Sequence, residues 1–189
     1  MTKILAFSGS GRRDSYNQQL VSIAAAGARQ AGAEVTLINL RDFPLPLFHE
    51  DLEASGRPEP AKQLKELFLS HQGLLIASPE YNSSLSPLLK NTLDWVSRRE
   101  AGEGRLAAFA EKTAAVMAAS PGHLGGLRGL VHLRAILSNV GVLVLPEQVT
   151  LSNAHEAFDE TGNLKDPAKH ETALELGAAL ADTLQKLSR

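Results

Sequence analysis

The 189-residue sequence contains no cysteine. Disulfide stapling, thiolate catalysis, Cys-ligated zinc and iron–sulfur clusters are therefore excluded together. No apolar run approaches the ~18 residues of a membrane span, and Met1-Thr2-Lys3 leads straight into a short strand with no signal-peptide apolar region. A cytoplasmic, soluble protein is expected. Charge is also nearly absent as a net quantity: 19 basic and 21 acidic side chains leave a formal −2. Neither the footprint of a nucleic-acid partner nor a basic cluster for an anionic membrane is present. No repeat, linker or low-complexity tract divides the chain. What is there is ordinary for a globular protein, 43% apolar and 21% charged residues. The length suits a single domain, 1–189, with a full core.

Strand and helix patterns alternate from end to end. Lys3 to Ser8 reads as a buried strand, and from Ser15 the apolar residues Leu20, Ile23, Ala24 and Ala31 recur at helical spacing until Gly32. Glu34 to Leu40 is the second strand. The Pro-rich stretch Asp42–Leu52 reads as a loop too apolar to be merely solvated, which either covers the end of its own sheet or lines a site or subunit contact. Pro60 opens a short helix with Leu64, Leu67 and Phe68 on one face. Gly73 to Ser78 is a third strand of continuous apolar residues, as expected of a strand covered on both faces. A turn-rich loop, Ser78–Ser84, precedes a helix over Ser86–Arg98 with Ser at its N-cap and Pro first. Thr113–Ala119 is the fourth strand, Leu127–Val140 a helix, Val142–Val149 the fifth strand, and a closing helix starts at Pro167. This alternation calls for an α/β fold, three layers with a five-stranded parallel sheet, and suits the flavodoxin-like order 2-1-3-4-5. Ligands then sit at the carboxyl ends of the strands, near the switch point between the first and third strands. The loops Ser8–Asn17, Pro79–Ser84 and Ser120–Gly126 all leave that edge.

The first of these loops, Phe7-Ser8-Gly9-Ser10-Gly11-Arg12-Arg13-Asp14-Ser15-Tyr16-Asn17, links a strand to a helix N-terminus. Backbone N–H groups, the positive end of the helix dipole, the hydroxyls of Ser10 and Ser15, Asn17 and the fork of Arg12 together suit a phosphate. The loop lacks a Walker Lys, and Asp14 stands where a dinucleotide fingerprint requires Gly or Ala. The alternative is a Ser/Gly/Asp turn that only caps its helix. The second and third loops offer backbone groups freed by Pro and Gly, side-chain amides and hydroxyls, and Tyr81, which suit the edge of a flat heteroaromatic ring. FMN has both ends.

Gly9 through Asn17 and Pro79-Glu80-Tyr81-Asn82-Ser83, in that order and each after the appropriate strand, resemble the NADPH-dependent FMN reductase family, which includes quinone, chromate and azo-dye reductases. The similarity extends to Asp42–Phe48, Leu89-Lys90-Asn91-Thr92-Leu93-Asp94-Trp95 and Ser120-Pro121-Gly122. The resemblance implies that Ser10, Arg12, Ser15, Tyr16 and Asn17 surround the FMN phosphate. It further implies that Pro79, Glu80, Tyr81, Asn82 and Ser83 contact the isoalloxazine, and that Ser120 and Gly122 lie along its other edge. It implies hydride transfer from NADPH or NADH through flavin N5 to a small electron acceptor: free flavin, a quinone, an azo compound or a metal oxyanion. The chemistry then resides in the cofactor, and no side chain is required as a catalytic acid or base.

His123 is the titratable side chain placed to donate a proton to a quinone, with a solvated loop histidine as the alternative. The other histidines have no metal-ligand spacing, and Glu80 reads equally as a salt-bridge partner. A flavodoxin-type electron carrier is the alternative function; the near-neutral charge and the lack of an aromatic in Ser120–Gly126 favour the enzyme. Finally, Leu85, Leu88, Leu89, Leu93, Trp95 and Val96 exceed what one stripe against a sheet needs. A homodimer is expected through the Ser86–Arg98 helix, with the Phe43–Phe48 loop closing over the partner's site, and a homotetramer could be built from it.

Overall fold

Five strands pair in parallel in the computed structural model, which describes residues 1–188. They are β1 (Lys3–Ser8), β2 (Glu34–Leu37), β3 (Gly73–Ala77), β6 (Thr113–Ala119) and β7 (Leu143–Leu151), arranged β2-β1-β3-β6-β7. Counted along the sheet strands alone this is the order 2-1-3-4-5, and the fold is flavodoxin-like. Every residue of β3 and β6 is buried, as is β1 after Lys3, while the edge strands β2 and β7 are partly exposed. Continuous apolar runs thus become central strands because both of their faces are covered.

Alternate residues feed two separate cores. Ile4, Ala6, Leu75, Ala77, Ala115 and Met117 pack against α1 (Tyr16–Gln30) and α7 (Pro167–Leu187). Leu5, Phe7, Leu74, Ile76, Ala114 and Val116 pack the other way, onto α3 (Glu59–Ser70), α4 (Pro87–Ser97) and α5 (Leu127–Asn139). The small side chains on the first face let α1 and α7 lie close together. A Cβ on Gly27 would sit 2.0 Å from the Leu174 carbonyl oxygen, and one on Gly177 1.8 Å from that of Ala24. The two helices are therefore in backbone contact, and α7 fixes the position of α1, whose N-terminus faces the loop cluster.

Pairing continues past the strand ends. The Gly9 N–H donates to the Ala77 carbonyl at 2.9 Å, Ser78 N–H to Met117 at 2.9 Å and Ser120 N–H to Leu151 at 3.0 Å. The loops after β1, β3 and β6 consequently leave the sheet side by side.

Several local expectations are revised. The second strand stops at Leu37, not Leu40, because Asn39 accepts from the Arg41 N–H and turns the chain into a 3-10 turn, Leu40–Asp42. The Pro-rich stretch runs into a short helix, α2 (Glu50–Ser55), capped by His49 Nδ1 accepting from Leu52 N–H. The turn-rich loop after β3 holds a hairpin, β4 (Glu80–Tyr81) with β5 (Ser84–Leu85). A further turn of helix, α6 (Ala154–Ala157), follows β7.

The largest revision concerns α4. Leu85, Leu89, Leu93, Trp95 and Val96 are all no more than 9% exposed within the chain. One side of α4 meets the sheet, and the other is covered by the loop before α2. Pro46 O accepts from Trp95 Nε1 (2.8 Å) and Asn91 Nδ2 (2.9 Å), Asn91 Oδ1 accepts from Phe48 N–H (2.8 Å), and Phe48 meets Trp95 edge-on. Its apolar surplus is thus consumed internally. The large apolar side chains left exposed include Leu47 on that loop, Tyr81 and Leu124, and Leu127 and Val131 on α5.

Because the α1–α7 contact is backbone on backbone, Gly177→Ala should cost about 3 kcal/mol or more, seen as a melting temperature lower by about 6–12 °C. Gly104→Ala, at a position with no atom within 4 Å of the added Cβ, should change stability by less than about 0.5 kcal/mol. Equal effects of the two in calorimetry would contradict the close packing.

Candidate functional site

The first turn of α1 presents unused donors. Ser15 is its N-cap, accepting from Gln18 N–H at 3.2 Å, and no acidic side chain lies in that turn. The N–H groups of Tyr16 and Asn17 have no acceptor among the described residues. Ser10 Oγ accepts from Arg12 N–H at 3.3 Å, which folds the loop back over the helix end. Arg12 spends one N–H on the Asp14 carbonyl (2.5 Å) and lays its guanidinium over the Tyr16 ring, 4.3 Å from the centroid. No carboxylate pairs with it among the described residues. Tyr16 in turn stacks on Phe158, with centroids 6.1 Å apart. An unpaired guanidinium and an open helix N-terminus on one rim are the chemistry of an anion site.

Asn17 is 4% exposed and does something different. Its Nδ2 donates to the Ala119 carbonyl at 2.8 Å, and its Oδ1 accepts from the Ala119 N–H at 2.9 Å. The amide thus ties the loop after β1 to the end of β6, across β3. Ser86 makes a second tie: its hydroxyl donates to the Gly9 carbonyl (2.5 Å) and accepts from Leu89 N–H (3.1 Å), joining the same loop to the start of α4.

The hairpin closes the cluster on the other side. Asn82 (φ 51°) and Ser83 (φ 66°) occupy the left-handed region in succession, the geometry of a tight type I′ turn that fits a two-residue hairpin. The Glu80 carboxylate, 8% exposed, accepts from the N–H groups of Arg128 (3.0 Å) and Gly129 (3.2 Å) and from Nε (2.9 Å) and Nη2 (2.5 Å) of Arg128. Burial pushes the Glu80 pKa up, but the Arg128 guanidinium and the two N–H groups outweigh it and hold the carboxyl below its ordinary value.

Together these elements enclose a cleft of about 200 Å³ lined by Ser10, Arg12, Ser15, Tyr16, Asn17, Pro79, Glu80, Tyr81, Ala119, Ser120 and Pro121. Residues 2–156 match the sequence model of the NADPH-dependent FMN reductases. The chain belongs to this family. It is an NAD(P)H-dependent reductase, and membership implies the use of FMN and NAD(P)H. The chain is 36% identical over 170 residues to an NAD(P)H-dependent FMN reductase of Pseudomonas aeruginosa, covering 89% of this chain and 88% of that protein. It is 32% identical over 163 residues to a 2-hydroxy-1,4-benzoquinone reductase of Burkholderia, covering 86% and 85%. Among solved structures it resembles the flavoenzyme NAD(P)H:(acceptor) oxidoreductase FerB of Paracoccus denitrificans, with 26% identity, a TM-score of 0.80 and 98% of each chain covered.

For this FMN reductase family member, nine of the twelve residues expected at the site from the sequence line the cleft. Asn82, Ser83 and Gly122 do not: the first two form the turn at the tip of the hairpin, and Gly122 donates its N–H to Ser120 Oγ at 3.2 Å. Two of the nine contribute differently from what a list of polar side chains suggests. The Asn17 side chain is committed to Ala119 and that of Glu80 to α5. Sequence reasoning passed over Ala119, Pro121 and Phe158. The first two end a strand and begin a loop already singled out. Phe158, an aromatic in an otherwise polar segment of a chain with only 5% aromatics, was a usable signal.

Replacing Asn17 by Ala leaves the buried N–H and carbonyl of Ala119 unpartnered, and should lower the unfolding free energy by about 2–3 kcal/mol in urea titrations. Asn17→Asp should be no better, since it sets a carboxylate oxygen against the Ala119 carbonyl. A loss below about 0.5 kcal/mol for both would show that the tie is not formed.

Proposed function

We propose that the chain is an FMN-dependent NAD(P)H oxidoreductase that passes hydride from a nicotinamide to a small acceptor, a quinone, free flavin, azo compound or metal oxyanion, within one cytoplasmic domain spanning 1–189. The observation that carries this reading is the unpaired Arg12 beside the open N-terminus of α1. The donor set fits an FMN phosphate: the free N–H groups of Tyr16 and Asn17, the hydroxyls of Ser10 and Ser15, and a guanidinium with no carboxylate partner. At about 200 Å³ the cleft is below the ~300–1,000 Å³ of a pocket that encloses a drug-sized ligand. It suits one end of a long ligand, with the ring lying outside it along the hairpin and the Ser120–Gly122 segment.

FMN, when bound, supplies the redox chemistry, taking hydride from the nicotinamide and delivering it to the acceptor. The residues of this chain bind and orient. Arg12 and the α1 N-terminus would hold the dianionic end, Pro79, Tyr81 and Ser120 would line the cofactor, and the N–H groups of Asn82 and Ser83, without acceptors among the described residues, would be available to the pyrimidine edge of the ring. Donors fixed in place before reduction favour the negative charge that reduction brings. His123, in the Ser120–Gly126 loop, remains the side chain proposed to hold a proton for a quinone.

We also place a homodimer, with a homotetramer as a possible higher assembly, on the α5 face rather than on α4. Leu127 and Val131 are exposed on α5, the helix that packs against the hairpin, and Leu124 before that helix and Tyr81 in the hairpin are exposed as well. A Leu93→Asp change would put a charge inside the chain's own core, so the informative variant is Val131→Asp. It should convert a light-scattering mass of twice 20.2 kDa to that of one chain without unfolding; a wild-type monomer at assay concentrations would refute the dimer.

The function is tested on purified protein reconstituted with FMN under anaerobic conditions. NADPH should bleach the bound flavin, and a quinone should restore its colour. Bleaching by dithionite but not by NADPH or NADH would indicate an electron carrier, and failure to bind FMN would overturn the reading. In the same preparation Arg12→Ala should weaken FMN about 10- to 150-fold, the loss of charge-assisted hydrogen bonds worth ~1.5–3 kcal/mol. Riboflavin, without the phosphate, should bind wild type and variant alike; equal losses for both ligands would make Arg12 structural.

A further inference from the structure

The hairpin and α5 are each incomplete alone. Strands β4 and β5 are two residues long, far short of independent stability, and their turn places two non-glycine residues at positive φ, a conformation that costs free energy at each. The N-cap of α5 is Gly126, in the left-handed region, which offers no side chain to the first-turn N–H groups. The Glu80 carboxylate supplies both deficits. It accepts from the N–H groups of Arg128 and Gly129, in place of the missing cap, and forms a fork with the Arg128 guanidinium. Two further contacts keep the hairpin flush on the helix. A Cβ on Gly129 would approach the Ser84 carbonyl oxygen to 3.1 Å, so only glycine gives an easy fit there, and His132 Nδ1 lies 2.9 Å from Ser84 Oγ.

We propose that Glu80 is a positioning residue: by capping α5 from outside the helix it locks the β4–β5 hairpin, and with it the free N–H groups of Asn82 and Ser83, in the orientation that sets how strongly reduced FMN is preferred over oxidised FMN. The proposal rests on the FMN reading above. Glu80 acts through α5 and the hairpin backbone rather than by side-chain contact with the ring. Charge and reach are both needed, since a neutral amide of the same shape offers one acceptor oxygen where the carboxylate offers two, one to the backbone pair and one to the guanidinium. Arg128, 57% exposed, contributes only the guanidinium half, so its loss should leave the backbone cap in place and have a smaller effect.

The test compares wild type, Glu80→Gln and Arg128→Met by two readouts. In the FMN-free protein, hydrogen exchange should accelerate at least tenfold at the amides of Arg128 and Gly129 and across residues 80–85 in Glu80→Gln. The amides of β1, β3 and β6 should be unchanged. In the FMN-loaded protein, the preference for reduced over oxidised FMN should fall about tenfold, which lowers the midpoint potential of the two-electron couple by about 30 mV; the KM for NADPH should stay within about twofold. Arg128→Met should show the same changes at about threefold, and it carries the test if Glu80→Gln does not fold. Unchanged exchange, or an unchanged potential with FMN bound, overturns the proposal and leaves the FMN reading standing. A wild-type protein that binds no FMN overturns that reading and the tuning with it, whatever the exchange data show.

Discussion

The bond pair between the Asn17 amide and the main chain of Ala119 is what makes three loops into one site. Neighbouring strands lie ~4.8 Å apart, so β1 and β6, separated by β3, have axes ~10 Å apart, and their loops do not meet through sheet pairing alone. A buried amide with one donor and one acceptor matches the N–H and carbonyl of a single residue and bridges that gap. Its cost of burial is offset because both groups are paired at each end. The loop after β1 is also tied to α4 through Ser86, and α1 is fixed from behind by the backbone contact with α7. Rigidity of the loop cluster therefore comes from contacts that are individually small and geometrically exclusive.

The N-termini of α1 and α5 both reach this edge of the sheet, and they are treated in opposite ways. In α1 the N-terminus carries no acidic residue in its first turn, its Tyr16 and Asn17 N–H groups are open, and an unpaired Arg12 stands beside it. In α5 the corresponding N–H groups are filled by the carboxylate of Glu80, whose charge is itself matched by Arg128. The positive end of the α1 dipole is left exposed, while that of α5 is neutralised.

Most of the fold was legible because its signals are local. Continuous apolar runs, helical periodicity, the Ser86-Pro87 start of α4 and the Gly-rich loop after β1 each depend on a few neighbouring residues, and the order of elements then leaves few topologies. The hairpin was hidden because Asn82 and Ser83 read equally as loop residues. Helix α2 was hidden because Pro44 and Pro46 upstream of it argued for irregular chain. The surplus of apolar residues on α4 was read correctly as a surface in need of cover, but the cover is the chain's own Pro46–Phe48 segment.

Residue type and short-range spacing encode the doubly wound α/β architecture, the three loops at the carboxyl edge and the family. Tertiary packing alone fixed that Asn17 spends its side chain on a residue 102 positions away, that Glu80 caps a helix 48 positions away, and that α4 buries its large apolar residues while Leu127 and Val131 of α5 stay exposed. An amide or a carboxylate in a loop has the same chemical capacity whether it faces a ligand or a backbone. Which one it meets is set by distant elements brought alongside it, and no local pattern encodes that choice.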